Sequence, residues 1–395
     1  MKPLYLDNNA TTAVAPEVLD EMLPYFKEFY GNPSSMHTFG GQLHRKVEEA
    51  RARVASLIGA EPEEIIFTSC GTESDNTAIM SSLEAQPHKR HIITSKVEHP
   101  AVLNFCRHMA RKGYRITYIP VDNKGKLDMD TFRNSLDEDT AVVSLMYANN
   151  ETGVIFPIQE IGQILRDRGI PFHSDAVQAV GKIPIDLKKL PVDMLSISGH
   201  KLHAPKGIGV LYVRKGLRFS PYLIGGHQEK GRRAGTENVA SIIALGKACE
   251  LASQDLRTEI IRLRTLRDRL ENALLEQCPD ALVNGDTGHR LPNTTNLSFQ
   301  YVEGEAILLR MDEYGICASS GSACSSGSLQ PSHVLRAMGV PFTAIHGSIR
   351  FSLSRYNTEE EIDRVIEILP GIIKELRALS PFGKAEPRAC ETPVP

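Results

Sequence analysis

The sequence predicts an α/β protein: a large domain on a mostly parallel sheet with helices on both faces, and a smaller α+β domain after it. Two observations point there. Over the first two thirds of the 395 residues, short apolar runs of strand length alternate with stretches of helical apolar spacing, the rhythm of a parallel sheet. The pattern then turns almost wholly helical over 237–278 and resumes as isolated strand-like runs among helices.

Taken in order, Leu43, Val47, Ala50, Val54 and Leu57 repeat at helical spacing, and Gly59 ends that helix. The strand-like run 64–68 follows. Residues 74–83 read as helix and 92–94 as strand; 101–112 read as helix and 116–119 as strand. Residues 141–146 read as a buried strand, followed by a helix over 158–168. Two strands end at Asp175 and just before Lys201, and another covers 208–213. In the long helical stretch, Arg262, Arg264, Arg267 and Arg269 are expected on a solvated face. Beyond it, 295–299 and 348–353 read as strands, and 305–313, 332–338 and 359–379 as helices. The expected division is a large domain over 15–260 and a small domain of 261–380 with the N-terminal segment 1–14. The tail 381–395, with Pro381, Pro387, Pro393 and Pro395 and little apolar content, is expected to be disordered.

Composition narrows the function classes. The 45 basic and 48 acidic residues nearly balance, so no global field favours nucleic acid or an anionic membrane. No apolar run reaches the length of a membrane span, and the first residues lack the apolar core of a signal peptide. Seven cysteines, an odd number without a CxxC pair, fit reduced thiols in the cytoplasm better than a disulfide framework or zinc ribbon.

The chemistry concentrates where strands end. Asp175 closes one apolar run, and Ser198-Gly199-His200-Lys201 closes the next. A carboxylate and a lysine on neighbouring strand ends suit pyridoxal phosphate: the lysine forms a Schiff base, and the carboxylate keeps the pyridine nitrogen protonated. A lone lysine at a strand end is more commonly just solvated, so the other contacts carry weight. Gly71 and Thr72, between a strand and a helix, suit a phosphate, though an ordinary helix cap reads the same way. Ser198 and His200 could complete that site. His99, in Glu98-His99-Pro100, could stack on the ring and exchange protons near neutral pH, or be a hydrogen-bonded loop histidine. Gln178 could donate to the cofactor's phenolic oxygen, or be an exposed glutamine. Arg350 lies inside an apolar strand with no acid nearby in sequence; with Asn150 it could hold a substrate carboxylate, or it pairs with a distant acid. Cys324 lies in a run of glycine, serine and alanine that gives a thiol reach and access. Cys106, Cys249 and Cys278 read as core thiols and Cys317 as buried, while Cys70 and Cys390 receive no role.

Together these segments resemble the cysteine desulfurases, pyridoxal-phosphate enzymes of the class V aminotransferases, over about residues 4–380. The resemblance rests on Leu6-Asp7-Asn8-Asn9-Ala10-Thr11-Thr12, Gly31-Asn32-Pro33-Ser34-Ser35, Glu98-His99-Pro100, Asn149-Asn150-Glu151-Thr152-Gly153, Ser198-Gly199-His200-Lys201 and Ser320-Gly321-Ser322-Ala323-Cys324. Ser69–Ser74, His200–Gly207, Gly225–Glu229 and Arg232–Asn238 are similar to the nitrogen-fixation (NifS-type) branch. Tyr147 departs from the tryptophan expected there.

The resemblance implies the pyridoxal-phosphate-dependent transferase fold (aminotransferase fold type I) and a homodimer. It implies Lys201 as Schiff-base lysine, Asp175 on the ring nitrogen, Gln178 on the phenolic oxygen and His99 on the ring. Gly71, Thr72, Ser198 and His200 then hold the phosphate, with Thr236 entering from the other subunit. Asn150 and Arg350 hold L-cysteine, Lys201 moves its α-proton, and Cys324 takes its sulfur as a persulfide, releasing L-alanine. An iron–sulfur scaffold protein accepts that sulfur, for nitrogenase maturation. No metal ligands are expected among the free side chains, except that Cys324 could meet an iron–sulfur cluster. Competing readings are a selenocysteine lyase, another class V aminotransferase, or a non-enzymatic sulfur or iron carrier.

Overall fold

The computed structural model describes residues 3–320 and 331–380. The chain opens with the two-residue strand β1 (Leu4–Tyr5). The next seven strands are β2 (Ile65–Thr68), β3 (His91–Ser95), β4 (Arg115–Ile119), β5 (Thr140–Ser144), β6 (Phe172–Asp175), β7 (Met194–Ser198) and β8 (Gly209–Val213). They form one sheet in the order β2-β8-β7-β6-β5-β3-β4. The pairs from β4 through β7 are parallel, whereas β8 runs antiparallel to both β7 and β2. Every residue of β2, β3 and β5 to β8 is buried, as expected for a sheet covered by helices on both faces.

Local sequence explains the helices. The helix Thr38–Ile58 buries Leu43, Val47, Ala50, Val54 and Leu57, and stops where Gly59 takes φ 67°, a left-handed conformation that costs glycine little. The helix expected from 74 begins earlier, at Gly71. Thr358 and Glu361 form a capping box at the head of the helix Glu359–Leu379.

The helical stretch is a single helix, Val239–Gln277, that continues through residue 260. Its first turns, Val239 to Cys249, pack into the core beneath the large sheet. Leu263, Leu266, Leu270 and Leu274 pack into a second core around β10 (Thr294–Phe299) and the helix Glu359–Leu379. Arg267 does not lie on a solvated face. It is 4 % exposed, donates to the carbonyl of Leu291 at 2.8 Å and is paired with Asp268.

The second core holds a three-stranded sheet in which β10 lies between β9 (Ala281–Val283) and β12 (Ser348–Ser352), antiparallel to both. The N-terminal segment is part of it. Its β1 pairs parallel with β11 (Ile316–Cys317), Leu6 is buried among Leu297, Phe299 and Phe351, and Asp7 bridges to Ser352. Residues 7 to 12 thereby lie between the two cores, against the carboxyl ends of β6 and β7. Among the described residues no helix is long and apolar enough to cross a membrane.

Candidate active site

A cavity of about 180 Å³ opens at the carboxyl ends of the sheet strands, where open α/β sheets bind ligands. Gly71 and Thr72 reach it from the end of β2, His99 from β3, Asn150 from β5, Asp175 and Gln178 from β6, and Ser198, His200 and Lys201 from β7. Eight of the residues singled out in sequence for the cofactor thus line one cavity, together with Asn150. Thr236 is exposed and is absent from this lining. Cys324 lies outside the described residues. The chain enters 321–330 from Ser319, which exchanges main-chain hydrogen bonds with Arg350, and leaves near Ser332, whose hydroxyl donates to Glu151. The next residue, His333, donates from Nε2 to the carbonyl of Glu98 at 2.9 Å. Both ends of that segment are therefore fastened beside the cavity.

Lys201 directs its Nζ to the carbonyls of Asn9 and Ala10, the latter at 2.7 Å. Asp175 accepts the main-chain N–H of Val177 at 3.0 Å. His99 caps the helix Pro100–Arg111, where Nδ1 accepts the N–H of Ala101 at 3.2 Å. In neutral His99 the proton therefore sits on Nε2. Burial pushes the His99 pKa down, against the pull of Asp175, so the ring stays neutral below the ordinary imidazole range. His200, hydrogen-bonded to Thr11 Oγ1 at 3.1 Å, is pushed down to about 4 by burial and then by Lys201.

Three buried carboxyls crowd this floor. Burial raises Asp75 well above the usual carboxylate range, raises Glu98 to about 8, and raises Asp175 too. Asp175 is held back by His99, the Val177 N–H and Lys201, Glu98 by hydrogen bonds from Ser95 and the Met146 N–H, and Asp75 by Ser196, while the charge of Asp175 drives both neighbours further up. Of the three, Asp175 is the one that a neighbouring lysine draws toward the charged form. Among the described residues, Asp75 Oδ1 and Glu98 Oε2 have no hydrogen-bond partner.

The residues present fit pyridoxal phosphate. At Gly71 an added Cβ would stand 2.9 Å from Val177 Cγ2, so a larger residue there would crowd Val177 at the cavity wall. The first turn of a 15-residue helix begins there, with N–H groups that a helix cannot pair internally. A pyridinium beside Asp175 would place a further cation directly against its buried carboxylate. Gly71→Ala should lower cofactor affinity about tenfold, from about 1–3 kcal/mol of overpacking, while leaving far-ultraviolet circular dichroism unchanged; unaltered affinity would show that the phosphate sits elsewhere.

Arg350 has the distant acid that sequence proximity did not reveal. Its Nη2 meets Asp7 Oδ1 at 2.6 Å and its Nη1 donates to the carbonyl of Asn150 at 3.0 Å, while Nε is buried without a hydrogen-bond partner among the described residues. Gln178 is not exposed: it is buried and donates from Nε2 to the carbonyl of Asn9 at 2.9 Å. Cys106 and Cys249 are buried, with thiols pushed up to about 12, and burial raises Cys278 to about 11. Cys317 is only partly buried, contrary to expectation, and Cys70 lines the cavity.

Sequence reasoning missed a second set of residues. Arg51, on the buried side of its helix, forms a two-pronged pair with Glu229 at 2.7 and 2.8 Å. Arg233 pairs with Glu73 at the head of the Gly71 helix at 2.9 Å. These pairs fasten the segment that carries Thr236 to β2 and to the head of the Gly71 helix. An arginine among Leu43, Val47, Ala50 and Val54 was the available signal for the first.

A family model described as aminotransferase class-V matches residues 4–365. The chain is 63% identical over 386 residues to a cysteine desulfurase of Trichormus azollae, covering 98% of this chain and 96% of that protein. It is 59% identical over 383 residues to the cysteine desulfurase NifS of Azotobacter vinelandii, covering 97% and 95% respectively. A solved NifS-like protein superposes with a TM-score of 0.89 at 40% sequence identity, covering 95% of this chain and 100% of that one. With these motifs gathered around one cavity, the chain belongs to the aminotransferase class-V family, on its cysteine desulfurase branch.

Proposed function

We propose that this protein is a cysteine desulfurase that converts L-cysteine to L-alanine and carries the sulfur away as a persulfide on Cys324. The observation that carries the reading is Lys201 and Asp175 on one cavity floor with His99, at strand ends that also present the Gly71 helix. When bound, pyridoxal phosphate supplies the electron sink that makes the substrate α-proton removable. Lys201 tethers the cofactor and then moves that proton. Asp175 keeps its charge against the ring nitrogen, and neutral His99 offers its Nε2 proton to the reacting sulfur or carbon. Gly71, Thr72, Ser198 and His200 hold the phosphate, and Thr236 reaches the site of a second copy in a homodimer. Arg350 and Asn150 orient the substrate carboxylate, which displaces Asp7 from Nη2.

Cys324 as thiolate attacks the substrate sulfur; the carbon–sulfur bond breaks, and its electron pair stays on the carbon that becomes the alanine methyl group. A cytoplasmic iron–sulfur scaffold protein then accepts the sulfur, in the service of nitrogenase maturation. Residues 15–260 act as the cofactor domain, with 1–14 and 261–380 as the smaller one.

Two expected results test the reading. Purified protein should release alanine from L-cysteine in amounts matching the sulfur transferred, whereas transfer of the amino group to an added keto acid would indicate an aminotransferase instead. Asp175→Asn should fold and bind cofactor yet lose about 10²–10³ in turnover, the size of a broken buried charge pair. A steady-state rate equal to wild type would remove Asp175 from the ring nitrogen.

A further inference from the structure

Lys182 belongs to none of the motifs above, yet it follows Gln178 by one turn and directs its Nζ inward. It donates to Gln178 Oε1 at 2.8 Å and to Asn9 Oδ1 at 3.3 Å. Gln178 Nε2 donates in turn to the main-chain carbonyl of Asn9. Asn9 is 1 % exposed and is itself locked: its Nδ2 donates to the carbonyl of Asn150 at 3.2 Å and to Thr294 Oγ1 at 2.9 Å, so Oδ1 must face Lys182. A carbonyl only accepts, and an ammonium only donates. The Gln178 amide therefore has one orientation, with oxygen on Lys182 and nitrogen on Asn9. Since Gln178 also lines the active cavity, the group it has left to offer there is the second Nε2 proton.

We propose that Lys182 is a positioning residue: by holding Gln178 Oε1 it joins the Asn9 carbonyl in keeping Gln178 a hydrogen-bond donor toward the cofactor's phenolic oxygen, and it polarises that donor. The proposal rests on the role of Gln178 given above. A donor whose own carbonyl accepts a strong hydrogen bond is itself strengthened. The charged groups that bear on Lys182 are Lys201 and Arg350, and a second cavity shared with Lys201 is also lined by His203, Asp255, Glu259 and Arg355. Burial, followed by those two cations, lowers the Lys182 pKa. An amine that loses its charge still donates, and the Asn9 carbonyl independently requires Nε2, so the amide orientation holds in either state.

The test is the pH titration of the visible absorbance of the pyridoxal-phosphate holoenzyme, in a double-mutant cycle of Lys182→Met and Gln178→Ala. Each single variant should displace the midpoint upward by about 0.5–1 pH unit, because a weakened donor leaves the phenolic oxygen's negative charge less stabilised. The double variant should move it no further than Gln178→Ala alone. Lys182→Arg, which keeps a donor, should restore most of the midpoint. An equal displacement with and without Gln178 would mean that Lys182 acts as a through-space charge, and would overturn the proposal, as would an unmoved midpoint in Lys182→Met. An unmoved midpoint in Gln178→Ala instead removes Gln178 from the phenolic oxygen and takes the proposal with it. If Lys182→Met does not fold, Lys182→Gln, too short to reach Oε1, serves in the same cycle.

Discussion

Lys201→Ala is expected to abolish turnover of L-cysteine, by at least about 10⁴-fold, together with the visible absorbance of the covalently tethered cofactor. Two tasks fall on this one amine. It is the lysine at the end of β7 that lines the cavity, with its Nζ held by the carbonyls of Asn9 and Ala10 and within the electrostatic reach of Asp175 and His99. Among the described residues no other lysine lines this cavity: Lys182 donates to Gln178 and Asn9 and lines the other one. The variant should still bind pyridoxal phosphate reversibly through the Gly71 helix and Asp175. A spectrum that kept the tethered form would move the Schiff base elsewhere.

Cys324→Ala is the second large effect expected. The variant should bind cofactor and L-cysteine and show the early changes in cofactor absorbance, yet release almost no alanine or sulfur. Among the described thiols, Cys106, Cys249 and Cys278 are held protonated by burial at values of about 11 to 12, too high for nucleophiles at neutral pH. Cys317 is also raised by burial. Cys70 is the competitor that geometry offers, since it lines the cavity, and Cys70→Ala should keep near-wild-type activity. Because the attacking species is the thiolate, the single-turnover rate of wild type should rise with pH through a thiol-like midpoint, ~8.5 when unperturbed. A flat profile, or a Cys324→Ala enzyme as fast as wild type, would make Cys324 a bystander.

Much of this site could be read from the chain because its parts are local. A strand that ends in Asp175, a strand that ends in Ser198-Gly199-His200-Lys201 and a glycine at a helix start each announce themselves within a few residues. Covered strands such as β5 and β7 read as short, mostly apolar runs for the same reason. What stayed hidden depends on chain reversal in space. Asp7 and Arg350 are 343 positions apart, and nothing near either one names the other. Asn9 was visible only as part of a motif, because its partners Gln178 and Lys182, Asn150, and Thr294 come from three distant segments. Arg267 looked solvated beside three other arginines, yet the Leu291 carbonyl draws it inward. The antiparallel entry of β8 was equally invisible, since strand direction leaves no mark on an apolar run.

The sulfur's location after one turnover tests the central claim most directly. Wild-type holoenzyme would be given one equivalent of L-cysteine without an acceptor thiol, quenched by alkylation, digested and analysed by mass spectrometry alongside the alanine released. The account predicts one alanine for each persulfide sulfur, with the adduct on the peptide containing Cys324. Alanine formation with the adduct confined to Cys70 or Cys390, or with all sulfur released directly as sulfide, would contradict it.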